Sequence, residues 1–247
     1  AIDGRCIPEE MTMTTEELRA IAKREMPQIK VETVAGSYRW NVIDSLPGNR
    51  HIGIELGVAG GSFSARMMRS GKFKRFYGVD IYGDGHTVVE YKKALRSVGL
   101  NRNFHLLRMT FDQALDLFPD QFFDFIYADG YAHTGEEGGQ TLLNWYAKLK
   151  PGGVMAGDDY DPEAWPLVVW AVHNLADQLG VDLKITDLTV DETYNRYRSW
   201  YFTKAEGPEP ELRPSPLLVQ FGNQEKAARA EKNKEKIAAK RARHGSS

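Results

Sequence analysis

The chain of 247 residues has a single cysteine, Cys6, so no disulfide can form within it. A chain without disulfides is typical of a reducing compartment, and we expect a cytoplasmic location. No apolar run approaches the ~18–20 residues that a membrane-spanning helix needs. The first residues also lack the basic-then-apolar plan of a secretory signal peptide. Together these absences predict a protein that neither crosses a membrane nor depends on disulfides.

The chain as a whole also lacks a strong charge of either sign, with 32 Lys and Arg against 34 Asp and Glu. The charge is nevertheless uneven. Residues 217–247 carry eight Lys or Arg and three Glu, a net charge of +5, which leaves −7 on the rest. A mildly acidic main part does not offer the basic surface that duplex DNA needs, so we expect no nucleic-acid partner. The basic segment is either a solvated helix or a contact to an anionic surface or to another subunit of a homo-oligomer.

Apolar runs alternate with helical patterns from residue 51 onward. Five runs predict buried parallel strands: 51–57, 75–81, 104–109, 123–129 and 152–158. Helical patterns follow near 62–71, 86–98, 112–118, 136–149 and 162–179. This alternation predicts a doubly wound α/β sheet with right-handed crossovers. Two further β-rich runs, 183–190 and 196–204, have no helix between them, so the last strand should be antiparallel.

Composition divides the chain into four segments. Residues 1–44 are expected to form a short helical or lid segment, and residues 45–204 the α/β domain. Residues 205–216 contain four prolines, which indicates a linker. Residues 217–247 are polar on nearly every side, and they are either helical or disordered.

A glycine-rich turn, E-L-G-V-A-G-G-S, follows the first of the strands. Gly57 and Gly61 tolerate positive φ and let bare backbone approach a ligand. Ser62 and the amides that begin the next helix can bind an anionic group. Ligands of open α/β sheets lie at the carboxyl ends of the strands. Asp80 ends the second strand, where its carboxylate can accept both hydroxyls of a ribose, so the pattern predicts a nucleotide-like cofactor.

The spacing of this turn separates two classes of cofactor. A dinucleotide site requires G-x-G-x-x-G, whereas position 59 is Ala and the turn has E-x-G-x-x-G-G. This pattern resembles the first motif of class I S-adenosylmethionine-dependent methyltransferases. The resemblance covers about residues 45–204 and includes VDIYGD, FDFIYADG, LKPGGVMAGDDY and the closing hairpin. It implies a Rossmann-like, seven-stranded sheet with an antiparallel hairpin strand, and S-adenosylmethionine as cofactor. The implied cofactor-binding residues are Glu55, Gly57, Val58, Gly61, Ser62, Asp80, Ile81, Thr110, Phe111 and Asp129.

Three carboxylates are expected to converge on one rim of the sheet. Asp129 ends the fourth strand, Asp158 and Asp159 end the fifth, and neighbouring strands lie about 4.8 Å apart. Their mutual repulsion would raise each pKa unless a cation neutralised them. A hard divalent ion, Mg²⁺, is the simplest such cation, and it would also bind a vicinal diol. The alternative is that Asp158 or Asp159 caps the next helix while Asp129 contacts the ammonium group of the cofactor.

The same stretch resembles the metal-dependent small-molecule O-methyltransferases, which include enzymes that tailor sugars and antibiotics. Their pattern has an Asp-Gly-x-His turn, whereas D-G-Y-A-H here displaces His133 by one residue. His133 is a candidate general base because imidazole titrates near neutrality, with Asp129 or the metal as the other proton acceptor. The combined prediction is Mg²⁺-assisted O-methylation of a small hydroxylated acceptor: a sugar, an antibiotic or a phenolic compound. Two alternatives stay open, a nicotinamide-dependent oxidoreductase and a catalytically silent methyltransferase-like binding module.

Five aromatic residues lie just before or just after predicted strand ends: Tyr38, Trp40, Tyr131, Tyr160 and Trp165. We expect them to form a lid or a platform for the acceptor. Aromatic rings stack on sugar faces and on phenolic rings alike, so they do not choose between acceptors. For Tyr160 and Trp165 the alternative is packing of the fifth helix on the sheet.

Overall fold

The centre of the fold is an eight-stranded sheet in a computed structural model that describes residues 14–83, 87–98, 101–130, 138–189 and 196–244. In chain order the strands are β1 (Val31–Thr33), β2 (His51–Leu56), β3 (Phe73–Val79), β4 (Phe104–Leu107), β5 (Phe123–Ala128), β6 (Leu149–Tyr160), β7 (Leu183–Ile185) and β8 (Arg198–Thr203). Their order across the sheet is β1-β7-β8-β6-β5-β2-β3-β4. Strand β8 is antiparallel to β6 and to β7, and the other neighbours are parallel. The predicted doubly wound sheet with an antiparallel hairpin strand is confirmed.

One strand was not expected from the sequence. Strand β1 joins the sheet beside β7, with Val31 opposite Leu183 and Thr33 opposite Ile185. It comes from the N-terminal segment, for which the sequence predicts only a helix or lid. Three residues are too few to show the alternation that identifies a strand, so pairing with β7 adds an eighth strand to the seven predicted.

Helices cover both faces of the sheet. They are α1 (Thr15–Glu25), α2 (Ser62–Arg69), α3 (Val88–Val98), α4 (Phe111–Leu115), α5 (Gln140–Tyr146), α6 (Pro166–Leu179) and α7 (Pro216–His244), with a 3₁₀ helix at Arg39–Ile43. A capping box between Thr14 and Glu17 begins α1. Pro166 in its first turn and Gly180 in the left-handed region bound α6. Within the described parts of the chain, no helix has the length and apolar content to cross a membrane.

The winding of the chain reverses between β2 and β5. From β2 the chain proceeds to β3 and β4 on one side, whereas β5 is followed by β6 on the other. A reversal of this kind opens a crevice at the carboxyl ends of the two central strands. The backbone N–H of Asp129 donates to the carbonyl of Leu56 at 2.8 Å, so the ends of β2 and β5 are in direct contact. The candidate site lies at this junction.

Candidate active site

The glycine turn bends the backbone tightly at the end of β2. Gly57 has φ +99°, and a Cβ placed there would lie 2.0 Å from the carbonyl oxygen of Asp129. Gly61 has φ +78° and precedes α2, where a Cβ would lie 3.0 Å from the Cα of Ala94. Both glycines were predicted because a ligand approaches bare backbone. The structure adds a second reason, because the backbone of the protein itself comes too close for a side chain at Gly57 and leaves little room for one at Gly61.

Asp80 stabilises this turn by accepting hydrogen bonds from its backbone. Its Oδ2 accepts hydrogen bonds from the backbone N–H groups of Val58 at 3.0 Å and Ala59 at 2.9 Å, while Oδ1 accepts from the N–H of Tyr82 at 3.0 Å. Hydrogen bonds to a buried carboxylate are the strong class. A carboxylate has about four lone-pair sites, and three are used by the turn, so Asp80 orders the turn and has at most one site for a ribose hydroxyl.

The side chain of Tyr82 also stabilises this turn. Its hydroxyl donates to the carbonyl of Ala59 at 2.9 Å. Tyr82 and Ala59 both have positive φ, +47° and +45°, although neither is glycine. A left-handed backbone is unfavourable for residues with a side chain, so the bond joins two residues that each need support from their surroundings. Tyr82 is not among the site residues predicted from the sequence.

Glu55 lies beneath the turn and is buried. Its carboxylate accepts a hydrogen bond from the hydroxyl of Ser64 on α2. Burial raises the pKa of Glu55 well above its usual range, although the bond from Ser64 opposes this shift. The predicted residue is therefore placed where it ties the end of β2 to α2.

The remaining predicted cofactor residues surround the crevice. Val58 is buried against Tyr82 and Ala94, and Ser62 is exposed at the first position of α2. Ile81 is half-buried after β3. Thr110 caps α4 by accepting from the N–H of Gln113 at 3.2 Å. The ring of Phe111 packs so tightly on Gly130 that a Cβ there would lie 2.3 Å from it.

Arg39 connects the carboxyl-end regions of β5 and β6. It is not among the site residues predicted from the sequence. From the 3₁₀ helix, Arg39 extends its Nη2 to 2.9 Å from Oδ2 of Asp129 and its Nη1 to 3.2 Å from Oδ2 of Asp158. Ser199 on β8 donates to Oδ1 of Asp158 at 3.0 Å, and its hydroxyl lies 3.0 Å from that of Tyr127. The three charged groups are hereafter called the carboxylate–guanidinium cluster. Only 9% of the Arg39 side chain is exposed.

Three aromatic rings surround the guanidinium of Arg39. The guanidinium carbon lies 5.3 Å from the ring centroids of Trp40 and Phe63 and 5.5 Å from that of Tyr127. These distances are within the range of cation–π attraction. In the sequence Arg39 stands between Tyr38 and Trp40, the two residues assigned to the acceptor platform.

The charges of this cluster depend on one another. Burial raises the pKa of Asp158 to about 7, and the repulsion of Asp129 adds to the shift while Arg39 opposes it. Burial disfavours the charge of Arg39, but Tyr127, Asp158 and Asp129 outweigh this and hold its pKa well above its ordinary value. Arg39 is therefore a permanent cation placed among acids.

The structure does not fit the predicted Mg²⁺ site of Asp129, Asp158 and Asp159. Asp129 and Asp158 do converge, but the cation between them is the guanidinium of Arg39. Asp159 has φ +59° and lies where the pairing of β6 with β8 is irregular, between Gly157 and Tyr160. Among the described residues, no group of three or more His, Cys, Asp or Glu is arranged to hold a metal ion. The predicted base His133 and the aromatic Tyr131 lie outside the described residues.

Two other predicted platform residues are placed near the end of β6. The hydroxyl of Tyr160 lies 2.7 Å from Nε2 of His173 on α6, which favours the packing alternative for Tyr160. Trp165 directly precedes α6, and its ring lies 6.0 Å from that of Tyr197 in an edge-to-face arrangement.

Comparison with known proteins supports a cofactor site of this kind. Residues 52–160 match a family model described as a methyltransferase domain. The matched span begins in β2 and ends with β6, so it contains the glycine turn, Asp80, Asp129 and Asp158. No curated protein matches the sequence.

Similarity to one solved structure supports the fold. The chain is similar to spermidine synthase from Thermotoga maritima, with a TM-score of 0.51 and 15% identity over 74% of this chain. It spans 61% of the length of that enzyme, which is less than two thirds. It is also similar to the N-methyltransferase NodS from Bradyrhizobium japonicum, with a TM-score of 0.48 and 16% identity over 67% of this chain and 90% of that one. At 15% identity the likeness to spermidine synthase shows the fold alone, and the family match supports S-adenosylmethionine as the cofactor.

Proposed function

We propose that this protein transfers the methyl group of S-adenosylmethionine to a hydroxyl oxygen of a small acceptor such as a sugar, an antibiotic or a phenolic compound. The methyltransferase match across residues 52–160 supports the donor. The observation that carries the proposal is the position of Asp129. Its backbone contacts Leu56 and Gly57 at the cofactor turn, and its side chain belongs to the carboxylate–guanidinium cluster.

The residues of the turn fit S-adenosylmethionine. Gly57 and Gly61 leave the backbone bare at the carboxyl end of β2, and Asp80 provides a carboxylate for the ribose. When bound, the cofactor supplies an electrophilic methyl group on its sulfonium. What remains for the protein is to align an acceptor oxygen and to remove its proton.

Asp129 and Asp158 are suited to the second task. Both are carboxylates at the carboxyl edge, and a carboxylate can accept a hydrogen bond from an acceptor hydroxyl and orient its oxygen. The ion pairs with Arg39 fix the rotamers of both side chains, which reduces the freedom lost when the acceptor binds. His133 remains a proposed general base, with Asp129 as the alternative within the described residues. No step of this proposal uses a metal ion.

A calorimetric titration tests the donor first. S-adenosylhomocysteine should bind with one-to-one stoichiometry, and NAD should not bind. Tight binding of NAD alone would replace the proposal by the oxidoreductase alternative. Asp124→Asn is the control for Asp80→Asn in this titration. Asp124 accepts a hydrogen bond from the N–H of Ile52 at 2.7 Å, at the opposite end of β2, so its substitution should not change cofactor affinity.

An acceptor panel then tests the chemistry. Paired compounds that differ only in hydroxyl against amine should be incubated with S-adenosylmethionine carrying a labelled methyl group. Label on the hydroxyl members and not on their amine partners supports O-methylation. Label on the amines alone would contradict it in favour of N-methylation. Cofactor binding without transfer to any member favours the silent binding module.

A further inference from the structure

We propose that Arg39 replaces the divalent cation at this site: its guanidinium is a positioning group that holds Asp129 and Asp158 at the acceptor side, and catalysis needs no metal ion. The inference rests on the proposed methyl transfer for its catalytic part. What it predicts about metal binding depends only on the charges of the chain and not on methyl transfer. The presence of Arg39 explains why Asp129, Asp158 and Asp159, whose sequence pattern predicts a metal site, are not arranged as a metal site.

The first support is the geometry of the two ion pairs. A guanidinium is planar and rigid and offers donors in a fixed fork. Nη2 and Nη1 of Arg39 each contact a different carboxylate, at 2.9 Å and 3.2 Å. Asp129 directly follows β5 and Asp158 lies on its parallel neighbour β6, so one planar group spans the gap between these strands. A divalent ion would bind these acids through the same oxygens, and it would have to displace the guanidinium.

The second support is that Arg39 is itself held firmly. Its side chain lies among Trp40, Phe63 and Tyr127. The 3₁₀ helix that carries it begins with a bond from the N–H of Tyr38 to Oδ1 of Asn41 at 2.8 Å, and Val42 is fully buried behind it. Arg39 could leave the carboxylates only by taking a buried charge away from its partners, which is strongly unfavourable.

The third support is the balance of charge. Arg39 lies within ion-pair distance of two acids, Asp129 and Asp158. Removal of the guanidinium would take a positive charge away from these two acids. Oxygen-rich, negatively charged sites of this kind attract hard divalent ions. The variant without Arg39 is therefore expected to acquire a metal affinity that the natural protein does not have.

The test measures Mn²⁺ binding by electron paramagnetic resonance on the full chain loaded with S-adenosylhomocysteine. The natural protein should bind no Mn²⁺ at this cluster. Arg39→Gln should gain a one-to-one Mn²⁺ site that is lost again in the double variant Arg39→Gln, Asp158→Asn. Arg39→Lys keeps the positive charge and should gain none. A one-to-one site in the natural protein that disappears in Asp158→Asn would overturn the inference, and so would an Arg39→Gln variant that folds and gains no site.

Activity provides a second readout, with any acceptor that the panel identifies. The natural protein should methylate it at the same rate in EDTA and in excess Mg²⁺, and a rate abolished by EDTA would overturn the inference. Arg39→Gln should lower kcat/KM for the acceptor by about 10- to 100-fold, the loss expected for hydrogen bonds to a charged group. Affinity for S-adenosylhomocysteine should change much less, and Arg39→Lys should restore part of the rate. Equal losses of acceptor turnover and cofactor affinity would indicate a merely structural arginine and would also overturn it.

Lys204→Met is the matched control. Lys204 is also a buried cation that pairs with a carboxylate, Glu209, and its Nζ lies 4.2 Å from the ring centroid of Tyr146. It lies where β6 begins, since its backbone pairs with Gly152 and Gly153. Its loss should lower stability without creating an Mn²⁺ site. If S-adenosylhomocysteine does not bind the natural protein at all, the proposed function fails, whereas the Mn²⁺ comparison, repeated without it, still decides the role of Arg39.

Discussion

The two sides of the crevice, the glycine turn of the proposed donor side and the carboxylate–guanidinium cluster of the proposed acceptor side, are built in different ways. On the donor side, the glycine turn is held by residues close in sequence, such as Asp80, which lies 22 positions after its partner Val58. On the acceptor side, Arg39 lies 90 positions from Asp129, and the chain must complete most of the sheet before the two meet. Sequence motifs reflect local geometry, so the donor side can be predicted from the sequence. The acceptor side depends on contacts that only the complete fold creates.

Gly57→Ala is the strongest test of the donor side. The added Cβ would overlap the carbonyl of Asp129 at 2.0 Å with φ at +99°, so the turn and the end of β5 cannot both keep their positions. We expect the free energy of unfolding to fall by more than ~3 kcal/mol and binding of S-adenosylhomocysteine to be lost. Urea unfolding and calorimetric titration measure the two effects.

Gly48→Ala separates the overlap from the backbone strain. Gly48 has φ +75°, yet a Cβ there has nothing within 4 Å. It should cost only the ~1–2 kcal/mol of a left-handed residue and leave cofactor affinity intact. If both variants lose the same stability, then the contact between Gly57 and Asp129 does not connect the two sides.

Asp80→Asn tests whether the donor side depends on local charge. An amide of the same shape can present its oxygen to one set of N–H groups, but its NH₂ would then face another donor among Val58, Ala59 and Tyr82. We expect the affinity for S-adenosylhomocysteine to fall by about 10- to 100-fold, since a hydrogen bond to a charged group contributes ~1.5–3 kcal/mol. Calorimetry measures this. An unchanged affinity would mean that the turn keeps its shape without the carboxylate.

How far the sequence predicts each side follows from these distances. The alternation of strands and helices, the antiparallel last strand and the convergence of Asp129 with Asp158 follow from periodicity and from the edge that parallel strands share. Arg39 does not, because its partners lie on strands that come later in the chain and no local pattern marks a long-range ion pair. The sequence shows three acids with no cation in the same motif, which predicts Mg²⁺. In the structure the cation is Arg39, which belongs to the N-terminal segment. The short β1, also from that segment, was missed because three residues carry too little pattern.

Tyr82→Phe is a finer test of the donor side. It removes the 2.9 Å hydrogen bond to the carbonyl of Ala59 and leaves the ring in place. A neutral hydrogen bond contributes ~0.5–1.5 kcal/mol, so affinity for S-adenosylhomocysteine should fall about 2- to 10-fold. Tyr91→Phe is the control, since that ring packs 5.0 Å from Tyr82 in the same small cluster. Equal effects of the two substitutions would assign the loss to removal of a hydroxyl from this cluster and not to the bond with Ala59.

The smallest expected effect lies on the acceptor side, where another long-range chain of bonds fixes the end of β6. Nδ1 of His173 is 2.9 Å from the carbonyl of Pro27, 146 positions away. A carbonyl only accepts, so Nδ1 carries a proton, and in the neutral imidazole Nε2 then accepts from the hydroxyl of Tyr160 at 2.7 Å. This arrangement requires neutral imidazole. Burial lowers the pKa of His173 below its ordinary value, although the bond to Pro27 opposes the shift.

The sign of the pH dependence follows from that direction. With a lower pKa in the folded state, the unfolded chain takes up the proton first as pH falls. The stabilisation is therefore complete above pH ~6.5 and is lost as pH falls towards the folded-state pKa, by at most ~1.4 kcal/mol per pH unit. Urea midpoints between pH 8 and pH 5.5 should show a shallower acid slope in His173→Gln, whereas Tyr160→Phe, which keeps the imidazole, should retain a slope. An identical slope in His173→Gln would mean that the long-range bonds of the acceptor side do not control its response to acid, and the contrast with the locally built donor side would then rest on Arg39 alone.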